Sequence, residues 1–122
     1  MRDSILLIED DDKHSFVMED ILSDEGYEVE IAKNKKEILK KIAERGRNGN
    51  PFDLILTDIA LSEFDAIDFI KNNHITYRII VVSAFADAKI ANGVLNEKWF
   101  IRKPFDNYAL LERVKERLDL PI

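Results

Sequence analysis

The run Phe52-Asp53-Leu54-Ile55-Leu56-Thr57-Asp58 constrains this chain more than any other stretch. It is largely apolar, of strand length, and it ends on a carboxylate. A continuous apolar run, rather than an alternating one, suits a strand covered on both faces, as the strands of a parallel sheet are. In open sheets of that kind ligands gather outside the carboxyl ends of the strands. An acid placed there is held into a crevice by a rigid core strand, although Asp is also an ordinary turn-capping residue. The rest of the chain decides between the two roles.

The same pattern of apolar run and polar stop recurs. Residues 4–8 carry Ile5, Leu6, Leu7 and Ile8 and stop at Glu9-Asp10-Asp11-Asp12. A helical pattern over 13–25 places Phe16, Val17, Ile21 and Leu22 on one side, with Gly26 as its terminator. Residues 27–32 alternate Tyr27, Val29 and Ile31 and predict a second strand nearer an edge. Asn34 with Glu37 forms a capping box for a helix that buries Ile38, Leu39, Ile42 and Ala43. That helix runs out into Arg45-Gly46-Arg47-Asn48-Gly49-Asn50-Pro51, the most loop-like stretch of the chain.

After Asp58 a short helix is predicted over 65–73, capped by Asp65 with Ala66, Phe69 and Ile70 inward. Residues 78–82 form a fourth strand ending at Ser83-Ala84, and 86–95 a weak helix interrupted by Gly93. A fifth strand over 98–101 ends at Arg102-Lys103-Pro104, and Asp106 caps a last helix burying Leu110, Leu111, Val114 and Leu118. Five strands alternating with five helices predict a doubly wound α/β fold, a five-stranded parallel sheet with helices on both faces.

Composition sets outer bounds. The 122 residues suit one domain, 1–122, with a single core. A hydrophobic share of 46% beside 34% charged residues excludes a disordered tail. A net charge of -6 argues against direct binding to nucleic acid or to anionic membrane. The absence of Cys excludes thiolate catalysis and Cys-based metal sites. Met1 to Ser4 leads into too brief an apolar run for a signal peptide, and no apolar stretch approaches the roughly 20 residues of a membrane span. A cytoplasmic location is expected.

The residues just past the strands carry the chemistry: Glu9 and Asp10, Asp58, Ser83 and Lys103. A parallel sheet brings all of them to one edge. Three carboxylates there repel unless a cation sits among them. Hard oxygen ligands in an incomplete cage suit Mg²⁺. A carboxylate beside Mg²⁺ and an ammonium can attack phosphorus and form an aspartyl phosphate. The metal and the Lys then stabilise the equatorial oxygens of the phosphoryl group, and a hydroxyl at Ser83 can bind it. Each residue also has a plainer role: Glu9 to Asp12 as a solvated helix-capping turn, Ser83 as a structural hydroxyl.

With those residues in that order and spacing, the chain resembles the receiver domain of two-component response regulators. The landmarks are Ile-Leu-Leu-Ile-Glu9-Asp10-Asp11, Phe-Asp-Leu-Ile-Leu-Thr-Asp58, Ile-Val-Val-Ser83-Ala84 and Phe100-Ile-Arg-Lys103-Pro104-Phe105, and the likeness spans residues 4–118. The resemblance implies a flavodoxin-like receiver fold with Asp58 as phosphoacceptor. It implies Mg²⁺ held by Asp10 directly, by Glu9 mostly through water, by Asp58 and by the backbone carbonyl of Ala60. Lys103 would pair with the carboxylate and then with the phosphoryl group. Ser83 would move to bind the phosphate, and Phe100 would swing inward behind it.

The chain departs from the family's usual residues at Ser62, where Pro is common, at Ala66, where Gly is common, and over Leu95-Asn96-Glu97-Lys98-Trp99-Phe100. The reactive set is untouched. By the same resemblance Ala60 and Phe85 flank the path of attacking water. Neither can orient a water by hydrogen bonding, so slow phosphate hydrolysis without a phosphatase is expected.

The expected function is a Mg²⁺-dependent phosphorylation switch rather than an enzyme acting on other substrates. Phosphate would come from a phosphohistidine on a sensor histidine kinase or histidine phosphotransfer protein. The chain stops soon after its last helix, so output is expected through contact with a downstream protein, with no nucleic acid or membrane bound directly, unless the chain is part of a longer protein. A competing reading is a pseudo-receiver, the same fold used as a phosphate-independent interaction module. An aspartyl phosphatase would carry a second Asp where Ala60 stands, and a dinucleotide-binding domain would need a Gly-rich turn that the 4 Gly do not form. His14 and His74 read as exposed surface residues.

Overall fold

The apolar runs become the strands of a single sheet. The computed structural model describes residues 2–58, 66–73, 78–82, 100–103 and 105–119. In chain order these form β1 (Ser4–Ile8), α1 (Asp12–Asp24), β2 (Glu28–Ala32), α2 (Lys35–Arg47) and β3 (Leu54–Asp58). Then follow α3 (Ala66–Asn72), β4 (Ile79–Val82), β5 (Phe100–Ile101) and α4 (Asn107–Asp119). The weak helix expected over 86–95 and the Asp65 cap lie outside the described residues. Among those described, no helix is long and apolar enough to cross a membrane.

The strand order is β2-β1-β3-β4-β5, and every pair is parallel. The chain turns to β2 on one side of β1 and later to β3 on the other, so the crevice above the carboxyl ends of β1 and β3 is a topological switch point. Ile8 is level with both Ala32 and Thr57, and Asp58 with Val82. Glu9 and Asp58 therefore leave neighbouring strands at the same height.

Side chains of a strand alternate between faces, and the core divides accordingly. Ile5, Leu7, Leu54, Leu56, Ile80 and Val82 pack with Met18 and Leu22 of α1 and with Leu110 and Val114 of α4. On the other face Leu6, Ile8 and Ile55 pack with Ile38 of α2, with Phe69 of α3 against them. This confirms the doubly wound arrangement. Burying each such side chain stabilises the fold by about 1.5–3 kcal/mol relative to exposure.

The helix ends follow the sequence closely. Asp11 caps α1 by accepting hydrogen bonds from the backbone N–H groups of Lys13 and His14. At the other end Gly26 adopts φ +100°, and the N–H groups of Tyr27 and Gly26 donate back to the carbonyls of Leu22 and Ser23. This left-handed termination favours a residue without Cβ. In the box at α2 the Glu37 N–H donates to Asn34 Oδ1, while Glu37 Oε1 accepts from the N–H of Lys33, one residue before the cap.

Three expectations are corrected. Phe16 and Val17 are 69% and 55% exposed, and α1 instead buries Ser15, Met18 and Leu22. Phe16 lies two residues from Met18, roughly 200° around the helix, so both cannot face the sheet. Leu39 and Ala43 of α2 also face outward, leaving Ile38 as the buried contact. Arg45 is not in a loop: α2 continues to Arg47, and Arg45 is buried. Its guanidinium donates to Glu30 at 2.9 Å, to Glu28 at 2.5 Å and to the Asn50 carbonyl at 3.3 Å. It also stacks 4.6 Å from the centre of the Phe52 ring. One side chain thus ties α2 to the edge strand β2.

Candidate functional site

Asp58 is the last residue of β3, set there by three fully buried neighbours, Ile55, Leu56 and Thr57. The Thr57 hydroxyl donates to the Asp58 carbonyl at 2.9 Å, which fixes the backbone where the strand ends. Lys103 stands two residues past β5, and its Nζ donates to Asp58 Oδ2 at 2.8 Å. Asp58 is largely buried and Lys103 partly exposed, so the pair is open to solvent on the side of the ammonium.

Glu9, just past β1, is only 4% exposed. Its N–H continues the sheet by donating to the Ala32 carbonyl, and its Oε1 accepts from the N–H of Asp11. Burial pushes the Glu9 carboxyl above its ordinary value, and the negative charge of Asp58 pushes it further. The Asp11 N–H, Lys103 and His14 oppose this without cancelling it. Two strand ends thus press carboxylates toward one another beside the Lys103 ammonium.

The acidic run after β1 divides by role. Asp11 serves the helix cap, and the N–H of His14 is the main reason its carboxyl lies below the ordinary aspartate value. Asp12 pairs with Lys33, which follows β2. Glu9 and the half-buried Asp10 remain at the sheet edge. The capping role considered from sequence is therefore real, but it occupies Asp11 rather than the whole run.

Of the residues predicted for the site, Glu9, Asp10, Asp58 and Lys103 share the carboxyl edge of the sheet. Phe100 opens β5 by its backbone, paired with Val81. Ser83, Ala60 and Phe85 lie outside the described residues, as does His74. His14, expected as an exposed surface residue, is 60% exposed, yet its Nδ1 lies 3.6 Å from Glu9 Oε1, a contact not foreseen from the sequence. The available signal was its place three residues past the cap, which turns the side chain back over the strand end. A groove of about 430 Å³ also opens beside Lys103, walled by Val17, Met18, Ile21 and Phe105 with His14 at its rim.

Among the described residues no group of three or more His, Cys, Asp or Glu side chains is arranged to close around a metal ion. The fit to a cation is therefore one of chemistry. A buried Glu whose ionisation is opposed by burial and by a neighbouring carboxylate is relieved by a positive charge between the two. Oxygen donors alone suit a hard ion such as Mg²⁺.

The model of the response regulator receiver domain matches residues 5–115. The chain belongs to that family. This receiver is similar to the nitrogen assimilation regulatory protein NtrX of Azorhizobium caulinodans, 30% identical over 98% of this chain and 28% of that protein. It spans about a quarter to a half of the length of the curated relatives it matches, 26% in the case of the transcriptional regulatory protein ZraR of Klebsiella oxytoca and 51% for the response regulator ArlR of Staphylococcus saprophyticus. Among solved structures it is similar to a CheY-like receiver domain protein from Methanospirillum hungatei. The two are 30% identical with a TM-score of 0.78, over 98% of this chain and 95% of that one. A response regulator from Chloroflexus aurantiacus superposes with a TM-score of 0.81 at 27% identity, over 98% of this chain and all of that one (100%). The fold is the flavodoxin-like receiver fold, and the receiver is a signalling module of two-component systems.

Proposed function

We propose that Asp58 accepts a phosphoryl group from a phosphohistidine and that the receiver, one domain over residues 1–122, passes the change to a protein partner. The observation that carries this reading is the 2.8 Å contact of Lys103 with Asp58 at the strand edge where Glu9 lies buried. A carboxylate oxygen of Asp58 attacks phosphorus, and a P–O bond forms as the P–N bond to the donor imidazole breaks. The electron pair leaves with the imidazole nitrogen, which takes up a proton. Lys103 follows the charge from the Asp58 carboxylate to the phosphoryl oxygens, where a fixed ammonium stabilises the crowded transition state.

Glu9, Asp10, Asp58 and the backbone carbonyl of Ala60 would hold Mg²⁺, whose charge offsets repulsion between the carboxylates and the incoming phosphate. Ser83 would bind the phosphate, and Phe100 would turn inward behind it, biasing a two-state surface that the downstream protein reads. The groove beside Lys103 supports docking of a sensor histidine kinase or histidine phosphotransfer protein. Val17 and Phe105 give that groove an apolar wall next to the Lys103 that pairs with Asp58. The receiver acts on no other substrate: it catalyses its own phosphorylation and dephosphorylation.

The test is intact mass after incubation with acetyl phosphate and Mg²⁺, with Asp58→Ala and EDTA as controls. The reading expects one added phosphoryl group that needs both Asp58 and the metal. A folded, Mg²⁺-binding protein that gains nothing is a phosphate-independent pseudo-receiver instead.

A further inference from the structure

The stretch that forms α2 is charged unlike the rest of the chain. Residues 33–47 hold seven of the 18 Lys and Arg but two of the 24 acids, in a chain whose net charge is -6. Four of these cations are engaged by the fold. Lys41 pairs with Glu30 at 3.3 Å, and the buried Arg45 with Glu28 and Glu30. Lys33 pairs with Asp12, and Lys35 lies 6.0 Å above the Phe69 ring. Lys36, Lys40 and Arg47 are exposed and make no ion pair among the described residues.

These three cations share one face of the helix. At about 100° of turn per residue, Lys36, Leu39, Lys40, Ala43 and Arg47 fall within about a third of its circumference. Ile38 and Arg45 point the opposite way and are buried. The two acids of α2 lie outside the stripe, and Glu37 is held by the N–H groups of Lys33 and by Asn34. Leu39, between the first two cations, is 44% exposed. The stripe is about 16 Å long. It also lies across the sheet from the groove beside Lys103. Ile38 of α2 packs with Leu6, Ile8 and Ile55, whereas Met18 and Phe105 of the groove belong to the core on the other face.

We propose that the outer face of α2 docks an acidic amphipathic helix of another protein, setting carboxylates against Lys36, Lys40 and Arg47 and an apolar side chain on Leu39. Charge complementarity selects this occupant. A nucleic acid backbone would answer the cations but not Leu39 and Ala43, and the acids that dominate the rest of the chain would repel it. A stripe of this length buries less than the roughly 1,200 Å² of a stable complex, so the encounter is transient and steered by charge. With the two surfaces on opposite faces of the sheet, this partner and a phosphodonor bind the receiver together. The inference needs neither phosphate nor metal and stands apart from the reading of Asp58.

The experiment is fluorescence anisotropy of a labelled helical peptide of about 20 residues, long enough to hold helix in water, with Glu and Leu on one face. It is titrated at low salt with wild type, Lys40→Glu, Leu39→Ser and Lys115→Glu, each checked for folding by circular dichroism. Lys115, exposed on α4, gives the same change in net charge away from α2. The expected result is a loss of affinity of at least about tenfold in Lys40→Glu, from like charges set face to face. Leu39→Ser weakens binding by about fivefold or more, as the loss of an apolar anchor does. Lys115→Glu binds as wild type does.

Equal weakening by Lys115→Glu, or none by Leu39→Ser, reduces the binding to general charge attraction and overturns the proposal. So does an absence of binding up to about 1 mM peptide, the weakest contact of use. A DNA duplex that binds as tightly as the peptide, with the same dependence on Lys40, assigns the face to nucleic acid instead. Self-association of wild type in sedimentation, abolished by Lys40→Glu, assigns it to a second copy, and either result overturns the proposal.

Discussion

Lys103 Nζ lies 2.8 Å from Asp58 Oδ2, a contact between residues 45 positions apart that the sheet alone brings together. Asp58 closes β3, β4 lies between, and Lys103 follows β5. The ammonium balances the carboxylate at rest, and under the proposed function it also stands where negative charge grows during phosphoryl transfer. These two roles pull measurable quantities in opposite directions.

Lys103→Ala is accordingly expected to slow acetyl phosphate labelling by about a hundredfold, the usual effect of removing one preorganised donor. The same change is expected to tighten Mg²⁺ binding, because a competing cation is gone. Time courses of intact mass and a Mg²⁺ titration measure the two effects. A variant that labels at the wild-type rate contradicts the role given to Lys103.

Glu9 gives the protein a pH dependence of defined sign. Burial, and then the charge of Asp58, raise its carboxyl above the ordinary value. The folded chain therefore holds this proton at pH values where the unfolded chain has released it. The resulting stability is full below the unfolded value and is lost as pH rises through the folded one. In EDTA at neutral pH, Glu9→Gln is expected to be more stable than wild type, with the advantage vanishing as pH falls below the ordinary glutamate range. Urea denaturation from about pH 3 to pH 7 brackets that range. An advantage that grows on acidification contradicts the assignment.

Arg45 is expected to act on stability alone. Arg45→Ala removes bonds to Glu28, Glu30 and Asn50 together with the stack on Phe52, and should cost about 1–3 kcal/mol in urea denaturation. Arg45→Lys restores only part of this, because a single ammonium cannot serve the fork and stack at once. Acetyl phosphate labelling of either folded variant should match wild type.

What the sequence revealed and concealed follows from how far each feature reaches along the chain. The strands were legible because Ile5 to Ile8 and Leu54 to Leu56 are apolar on both faces, which few other local structures tolerate. The reactive acids were legible because each ends such a run. The outward turn of Phe16 and Val17 was not: an apolar pair at the same spacing fits either face until the sheet selects Met18 and Leu22. Nor was the burial of Arg45, which depends on acids of β2 that lie 15 and 17 positions before it. His14 was hidden for a related reason, since its relation to Glu9 exists only once the Asp11 cap sets the first turn of α1.

The exposed apolar side of α1 leads to a prediction about partners. Val17→Asp places a charge in the groove beside Lys103 while leaving the buried stripe of α1 intact. Phosphoryl transfer from a phosphohistidine protein is expected to slow by about tenfold, in line with the loss of one apolar docking contact. Labelling by acetyl phosphate, which needs no docking, should be unchanged. Equal slowing with both donors points to damage at the site itself.

The account turns on Asp58 as the nucleophile, and borohydride reduction of the phosphorylated protein tests that most directly. Hydride cleaves an acyl phosphate and converts the aspartate that carried it into homoserine, which peptide mapping by mass locates. The account predicts homoserine at position 58 and nowhere else, formed only in samples that received phosphodonor and Mg²⁺. Homoserine at another acid of the edge, Asp10 for example, or labelling that leaves position 58 as aspartate, contradicts it.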